Sequence, residues 1–168
     1  MTLTYISWLF GFGAMVSLFM IYQQKDRKKL LLFKLSADVC WVVHYLCIFA
    51  PGGAIPNFVG IFRELVFVNR EEKKWADCFL WPILFIAVNL TLGLVTMDSC
   101  INLLPITASV FVTVSLWLKR PALTKIVSVP VSAAFLIYDI FVHSYIGMVN
   151  ESIAICSIII SFIRSRKN

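Results

Sequence analysis

The sequence predicts an all-α integral membrane protein with seven transmembrane helices, built as a parallel repeat of three helices, one linking helix and three helices. The first observation is composition: 60% of the 168 residues are hydrophobic and 14% are charged, whereas soluble domains carry about 25% charged residues. The second is that the apolar runs are continuous and lack the alternation of barrel strands. The third is that short basic loops separate the runs, which sets their number and orientation.

Seven apolar segments are predicted as helices, at residues 3–22, 30–50, 52–69, 78–96, 101–118, 124–142 and 147–163. The first has no positively charged leader and no cleavage site, so we expect a retained helix and not a signal peptide. The third holds Asn57, Arg63 and Glu64. It is still predicted as a helix, because without it the connection from 51 to 77 would be a long, apolar, structureless loop. The fourth stands alone between two groups of three.

Basic and uncharged loops alternate along the chain. The connections after the first, third and fifth helices and the segment after the seventh are basic: QQKDRKK, NREEKKWAD, KRPALTK and RSRKN. The other connections, APGG, TMDSC and VHSYIG, contain no lysine or arginine. The positive-inside rule therefore predicts an outside N-terminus and a cytoplasmic C-terminus. Topology thus accounts for the net charge of +6, and we expect no nucleic acid as a partner.

The number of helices predicts an internal repeat. Three helices return the chain to the opposite face of the membrane, so a second copy in the same orientation needs one extra helix. The predicted units are a first three-helix bundle at 1–70, a linker with the inversion helix at 71–100, and a second three-helix bundle at 101–168. At one constant sequence offset Tyr45 matches Tyr138 and Asn57 matches Asn150.

An ion pair is predicted between the second and third helices. Asp38 and Arg63, measured from the cytoplasmic ends of their helices, lie within about 3 Å of the same depth at 1.5 Å per residue. A charge inside the bilayer needs a partner or a water-filled cavity, so each is expected to neutralise the other. Glu64 should point away from Arg63, toward another helix or a cavity. The pair is either a structural clasp or part of a gate.

A second layer of polar side chains is predicted nearer the outside, at one depth in both halves. It consists of His44, Tyr45, Asn57, Tyr138, Asp139, Asn150 and Glu151. Such a layer supplies the donors, acceptors and aromatic faces of a solute pocket at a repeat interface. The same depth also fits the wet outer boundary of the membrane, where polar groups are inexpensive. Asp139 and Glu151 would permit proton coupling if they lie close together.

Several segments resemble a known family over nearly the full chain. NLLPITASVFVTVSLWLKRP, FLIYDIFVHSYIGMVNE and WVVHY with the following GG, Asn57, Gly60 and Arg63-Glu64 are similar to the YgjV-type bacterial inner-membrane proteins. That resemblance implies a multi-pass protein of the bacterial cytoplasmic membrane. More distantly, the chain resembles the superfamily of SWEET and SemiSWEET sugar facilitators and PQ-loop proteins, which implies three-helix bundles and an outside N-terminus.

The distant resemblance also implies binding residues. In the sugar facilitators an asparagine on the third helix of each bundle and a tryptophan on the preceding helix line the central pocket. Asn57, Asn150 and Trp41 occupy the corresponding helices, and Ala134 stands where a second tryptophan would be. The Pro-Gln signature of the superfamily is absent from this sequence.

The expected function is a facilitator or transporter of a small polar solute between the two bundles. A receptor or scaffold of the same fold is the alternative, since fold does not fix function. An intramembrane enzyme is less expected, because the sequence has no nucleophile elbow, no HExxH and no metal-ligand spacing. We therefore expect no catalytic residues, cofactor or metal, with the lipid bilayer and an unidentified solute as partners. The oligomeric state stays open.

Overall fold

The structure, a computed structural model, describes residues 2–23, 26–118 and 121–165. This part of the chain is all-helical and contains seven α-helices, as predicted. They are α1 (Thr2–Gln23), α2 (Arg27–Cys47), α3 (Pro51–Val68), α4 (Leu80–Val95), α5 (Leu103–Trp117), α6 (Pro121–Phe141) and α7 (Tyr145–Ser165). Two short 3₁₀ turns, Lys74–Asp77 and Cys100–Asn102, precede α4 and α5.

Capping explains where the helix ends differ from the apolar runs. Helix α2 begins before its first apolar residue, because the Asp26 side chain accepts the backbone N–H of Lys28 at 2.9 Å. Helix α3 begins at Pro51, which needs no hydrogen bond at a first helical position. Helix α5 begins later than predicted, since a 3₁₀ turn capped by Ser99 occupies the start of the apolar run.

Three stretches are long and apolar enough to cross a membrane by length and composition: residues 2–21, 27–47 and 100–117. Two shorter helical stretches, 80–95 and 126–141, are also apolar. Large apolar side chains are exposed along the outer faces, such as Leu9, Phe49 and Val95. Such surfaces suit contact with lipid and not with water.

Each of the two outer helix groups packs around its middle helix. Helix α2 packs between α1 and α3, and α6 packs between α5 and α7. Helix α4 contacts α3 and α5, while α3 also packs directly on α5 and α1 contacts α7. The core between the groups is formed by small and aromatic side chains, among them Ala14, Trp41, Tyr45 and Tyr138.

The turns α2–α3 and α6–α7 share one backbone geometry. The N–H of Ala50 donates to the carbonyl of Tyr45, and the N–H of Ser144 donates to the carbonyl of Asp139, both at 2.9 Å. The residue before each donor is left-handed, with φ of 56° and 55°. This is the bond pattern of a Schellman helix end, here closed by residues other than glycine.

The shared turn defines a register between the two halves. By the turn hydrogen bonds, Tyr45 corresponds to Asp139 and Gly53 to Gly147. The sequence offset that matches Tyr45 with Tyr138 is therefore one residue away from the register of the backbone. The reason is that the sequence offset was chosen to align identical residues, the two tyrosines, whereas the ends of the helices are equivalent one residue later.

The basic loops meet at one end of the helices. Lys28 Nζ lies 2.7 Å from Glu72 Oε1, and this hydrogen bond lowers the pKa of Glu72. Arg70 Nε lies 2.5 Å from Asp77 Oδ1, and its guanidinium lies over the ring of Trp117 at 3.4 Å from the centroid. Parts of these loops, residues 24–25, 119–120 and 166–168, are outside the described residues.

Candidate functional site

Three rings on one face of α2 form the centre of the site. Trp41 stacks on Tyr45 with ring centroids 5.6 Å apart, and its edge meets His44 at 5.2 Å. Their spacing of three and four residues puts them on one side of the helix. Tyr138 of α6 approaches Tyr45 edge-on at 6.0 Å. All four side chains are buried, so the fold brings these four predicted residues into one cluster.

Two hydrogen bonds connect this cluster across helices. The Tyr45 hydroxyl donates to Asp139 Oδ1 at 2.8 Å, which joins α2 to α6. The backbone N–H of Gly53 donates to the Tyr138 hydroxyl oxygen at 2.8 Å, which joins α3 to α6. Asp139 is completely buried, and within the described part of the chain its Oδ2 atom has no hydrogen-bond partner.

His44 connects three helices through two serines. Its Nδ1 lies 2.9 Å from the carbonyl oxygen of Ser7 and 3.0 Å from Ser7 Oγ, and its Nε2 lies 2.8 Å from Ser144 Oγ. A carbonyl can only accept, so Nδ1 is assigned as the donor and Nε2 as the acceptor from Ser144. Ser144 also accepts the N–H of Gly147 at 3.3 Å, as the N-cap of α7.

Sequence reasoning did not single out Ser7 or Ser144. A serine inside an apolar helix, such as Ser7, has no pattern that separates a bridging hydroxyl from one bonded to its own helix. Ser144 carried one usable signal, because a serine directly before an apolar helical run is a preferred N-cap.

The predicted asparagines hydrogen-bond within their own helices. Asn57 Nδ2 donates to the carbonyl of Gly53 at 2.7 Å, and Asn150 Nδ2 donates to Glu151 Oε1 at 2.9 Å. Both asparagines are buried and Glu151 is half-buried. Among the described side chains, no hydrogen bond joins either amide to the aromatic cluster. Their role in substrate binding stays a prediction.

Two glycines allow the close approach of helices around the cluster. A Cβ at Gly53 would lie 2.8 Å from Tyr45 Cδ1 and 2.9 Å from Tyr138 Cε1. A Cβ at Gly147 would overlap Asp139 Oδ2 and would lie 2.6 Å from Ser144 Oγ. These glycines occupy corresponding positions after the two equivalent turns. Each provides room for the buried polar side chains against which it packs.

A separate ionic cluster joins α2 and α3. Lys34 Nζ lies 2.5 Å from Asp38 Oδ1, and Arg63 Nη2 lies 2.9 Å from Glu64 Oε1. The longer contacts are Lys34 Nζ to Glu64 Oε1 at 3.8 Å and Arg63 Nη2 to Asp38 Oδ2 at 3.9 Å. The contact that was predicted between Asp38 and Arg63 is therefore the longest of the four.

Glu64 lies near a side chain of another helix, as expected, since its Oε1 is 3.8 Å from Lys34 Nζ of α2. It does not point away from Arg63, because the long arginine side chain turns back to its neighbour and bonds it through both Nε and Nη2. Lys34 was missed, although it precedes Asp38 by one helical turn, the spacing at which opposite charges meet. Within the described residues, Asp38 Oδ2 and Glu64 Oε2 have no hydrogen-bond partner.

Helix α5 completes the ionic cluster with two hydroxyls. Arg63 Nη1 donates to Thr113 Oγ1 at 2.9 Å and reaches Ser109 Oγ at 3.5 Å. The Thr113 hydroxyl in turn donates to the Ser109 carbonyl at 2.8 Å. Arg63 is 2% exposed, so its charge is held by side chains from three helices and not by water.

One family model matches nearly the full chain. The Imp-YgjV family, described as a bacterial inner membrane protein, matches residues 5–168. The chain belongs to this family. No curated protein and no solved structure matches the chain. The predicted YgjV-type resemblance is thereby confirmed, while the resemblance to sugar facilitators stays a prediction.

Membership of the Imp-YgjV family assigns the exposed apolar faces to the lipid of the bacterial inner membrane. Two shallow depressions lie on these faces. The first is lined by Trp8, Phe12, Met15, Tyr145, Ile146 and Val149, and the second by Phe58, Val59, Phe62, Leu84, Phe85, Val88 and Leu92. Neither contains a predicted binding residue. No three or more histidine, cysteine, aspartate or glutamate side chains described by the structure are grouped to hold a metal ion.

Proposed function

We propose that all seven helices cross the inner membrane as two three-helix bundles joined by α4, with the N-terminus outside and the C-terminus in the cytoplasm. The packing of α2 between α1 and α3, and of α6 between α5 and α7, supports this arrangement. So does the repeated turn geometry of α2–α3 and α6–α7. The proposed units are 1–70, 71–100 and 101–168.

We infer that the protein is a transporter or facilitator that moves a small polar solute between these two bundles. The observation that carries this inference is the polar contact between them: Tyr45 with Asp139, Gly53 with Tyr138, and Arg63 with Thr113. Helices that only need to associate in lipid pack through small side chains and through hydrogen bonds of uncharged polar side chains. Ionisable residues buried within a membrane protein are typical of solute and ion pathways.

The aromatic cluster has the composition of a binding site for a polar solute. The rings of Trp41, Tyr45 and Tyr138 offer faces, and the two tyrosine hydroxyls and Asp139 offer hydrogen bonds. These groups bond one another in the closed arrangement. When the bundles part, a solute takes the place of those partners, since the freed polar groups would otherwise be unsatisfied.

The backbone register indicates that the two halves contribute different side chains to the proposed binding site. The equivalent turns align Asn57 with Glu151, and they align Asn150 with the neighbouring position in α3, Pro56. One half then contributes an amide where the other contributes a carboxyl group. A solute held between them would present an acceptor to one side and a donor to the other.

The second candidate function is a receptor or scaffold that does not transport. The observation that favours it is that the two halves hydrogen-bond each other directly. The Tyr45 hydroxyl donates to Asp139, and the backbone N–H of Gly53 donates to the Tyr138 hydroxyl, both at 2.8 Å. A permanently closed centre would serve only to fix the packing of the helices.

A ligand-induced thermal-shift screen distinguishes the two. Purified protein in detergent is screened against small polar metabolites as wild type and as the Asn57→Ala/Asn150→Ala double variant. Asn69→Ala is the matched control, because Asn69 makes the same bond to its own helix, Nδ2 to the Leu65 carbonyl at 2.8 Å, at an exposed position. A ligand at a hundred times its Kd stabilises by about 2.7 kcal/mol, or on the order of 5–10 °C for a chain of this size.

Transport is supported by a compound that raises the melting temperature of wild type and of Asn69→Ala but not of the double variant, and that then enters proteoliposomes. The receptor or scaffold function is supported if no compound raises the melting temperature of any variant while the double variant is as stable as wild type. Partner capture from membranes would follow in that case.

A further inference from the structure

We propose that the Asp139 carboxyl group is a proton-binding site, which holds one proton while the two halves are closed and releases it to water when they part. The coupling of this proton to solute movement rests on the proposed transport function. The protonated carboxyl group in the closed arrangement does not, and it can be tested without a solute.

The surroundings of Asp139 are those of a neutral acid. Its exposed fraction is 0%; Oδ1 accepts a hydrogen bond from the Tyr45 hydroxyl, and the Ser144 hydroxyl is a second side-chain group that acts on the carboxyl group. Oδ2 has no partner, and no described lysine, arginine or histidine forms a salt bridge with it. An isolated buried carboxylate is so unfavourable that the group takes up a proton instead.

The ionic cluster provides an internal comparison. Asp38 and Glu64 are as buried as Asp139, and each has a cation close by: Lys34 at 2.5 Å from Asp38, and Arg63 at 2.9 Å from Glu64. This protein therefore supplies a counter-charge where it keeps a carboxylate buried. At Asp139 the described part of the chain supplies hydroxyl groups and no cation in a salt bridge, which suits a neutral acid.

The other titratable groups around Asp139 do not provide that counter-charge. Tyr45 from α2 and Tyr138 from α6 carry phenol hydroxyls, of which Tyr45 donates to Oδ1 while Tyr138 accepts the N–H of Gly53. Glu151 from α7 is itself an acid and cannot supply a positive charge, and its Oε1 accepts a hydrogen bond from Asn150. His44 from α2 bonds Ser7 and Ser144 instead. The helices α1 and α3 contribute Ser7 and glycines to this region, none of which titrates.

The position of the hydrogen bond couples the proton to opening. Its donor, Tyr45, lies on α2, and its acceptor lies on α6, so parting the halves breaks the bond and admits water. Water stabilises the ionised form of a carboxyl group that burial disfavours. The O–H bond at Oδ2 then breaks, the electron pair stays on the carboxylate, and the proton passes to water on the open side.

Infrared spectroscopy of the purified protein tests the site directly. A carboxylic acid has a carbonyl band that a carboxylate lacks. We expect this band in wild type at neutral pH, its loss in Asp139→Asn, and its retention in Glu151→Gln. Tyr45→Phe removes the hydroxyl that donates to Oδ1, so the band should shift to higher frequency, which assigns it to Asp139 even if Asp139→Asn does not fold.

The absence of the band in wild type would overturn the proposal. So would a band that Tyr45→Phe leaves unshifted, or that Glu151→Gln removes. Raising the pH should abolish the band together with an increase in hydrogen–deuterium exchange of residues 47–57. Loss of the band with unchanged exchange would mean that ionisation occurs in the closed state, which overturns the coupling to opening.

The outcomes separate this inference from the proposed function. If the band behaves as expected and no solute is transported, the proton site stands and the transport function fails. If a solute is transported and the band is absent, transport stands and the proton site fails.

Discussion

Replacing Arg63 with methionine should strongly destabilise the protein, because it leaves a buried carboxylate without its partner. Lys34 lies 2.5 Å from Asp38 and can neutralise one carboxylate, but it lies 3.8 Å from Glu64. Breaking a buried ion pair costs about 3–5 kcal/mol. Thr113 adds little to this, since its hydroxyl keeps a hydrogen bond to the carbonyl of Ser109 at 2.8 Å.

Two double variants locate the partner of Arg63. Arg63→Met/Glu64→Gln leaves the short contact between Lys34 and Asp38, whereas Arg63→Met/Asp38→Asn leaves only the 3.8 Å contact between Lys34 and Glu64. Both doubles are balanced in charge, so both should recover part of the loss. The first should be more stable by about one charge-assisted hydrogen bond, roughly 1.5–3 kcal/mol.

The free energies of unfolding of these variants are measured in mixed detergent micelles, where the loss of the helical circular dichroism signal monitors unfolding. The control is Lys28→Met, which breaks a contact of 2.7 Å to Glu72 where both side chains are more than half exposed. Exposed ion pairs contribute little, so this variant should unfold almost as wild type does. Equal stability of the two doubles, or greater stability of Arg63→Met/Asp38→Asn, would refute the assignment of Glu64 as the main partner of Arg63.

Three further substitutions test the packing of the helices in the same unfolding assay. Gly53→Ala should lower the free energy of unfolding by about 1–3 kcal/mol, because the new methyl group would lie 2.8 and 2.9 Å from the rings of two buried tyrosines. Gly13→Ala should raise it by about 0.5–1 kcal/mol, since the nearest atom is a cysteine sulfur at 3.5 Å; similar effects at the two sites would contradict this contrast. Asn89→Leu removes a bond of 2.9 Å to the carbonyl of Ile106 and should cost no more than about 1 kcal/mol, as interhelical bonds in membranes average about 0.6. A loss as large as that of Arg63→Met would be inconsistent with this.

The helices could be predicted because lipid imposes a local requirement. Each apolar segment must satisfy its own backbone hydrogen bonds and cover them with apolar side chains, so each helix can be recognised from its own residues alone. The third segment shows the limit: Asn57, Arg63 and Glu64 weaken its apolar signal, and a helix was favoured by the length of the alternative loop and by the side on which the later basic loops would lie. The structure has this helix at Pro51–Val68.

For contacts between different helices, only the depth of each residue along its own helix could be read from the sequence, and we predicted partners from equal depth. The rise per residue brought Asp38 and Arg63 to one level, but it does not give the rotation of α3 or the path of a long side chain. Arg63 therefore bonds its neighbour Glu64 most closely, and Asp38 is held by Lys34. The contact of His44 with Ser7 had no sequence signal, since hydroxyls in apolar helices commonly bond their own backbone.

The two left-handed turns have a mechanical consequence. Phe49 and His143 adopt a conformation that is unfavourable by about 1–2 kcal/mol without glycine, and they hold φ at 56° and 55°. The turns that they close use the backbone carbonyls of Tyr45 and Asp139, the same residues whose side chains meet between the halves. Each pair of helices, α2 with α3 and α6 with α7, is thus joined by a stiff turn that lies next to the hydrogen bond between Tyr45 and Asp139. If the two halves part as proposed, breaking the hydrogen bond between Tyr45 and Asp139 would let the two pairs of helices separate while both turns keep their geometry.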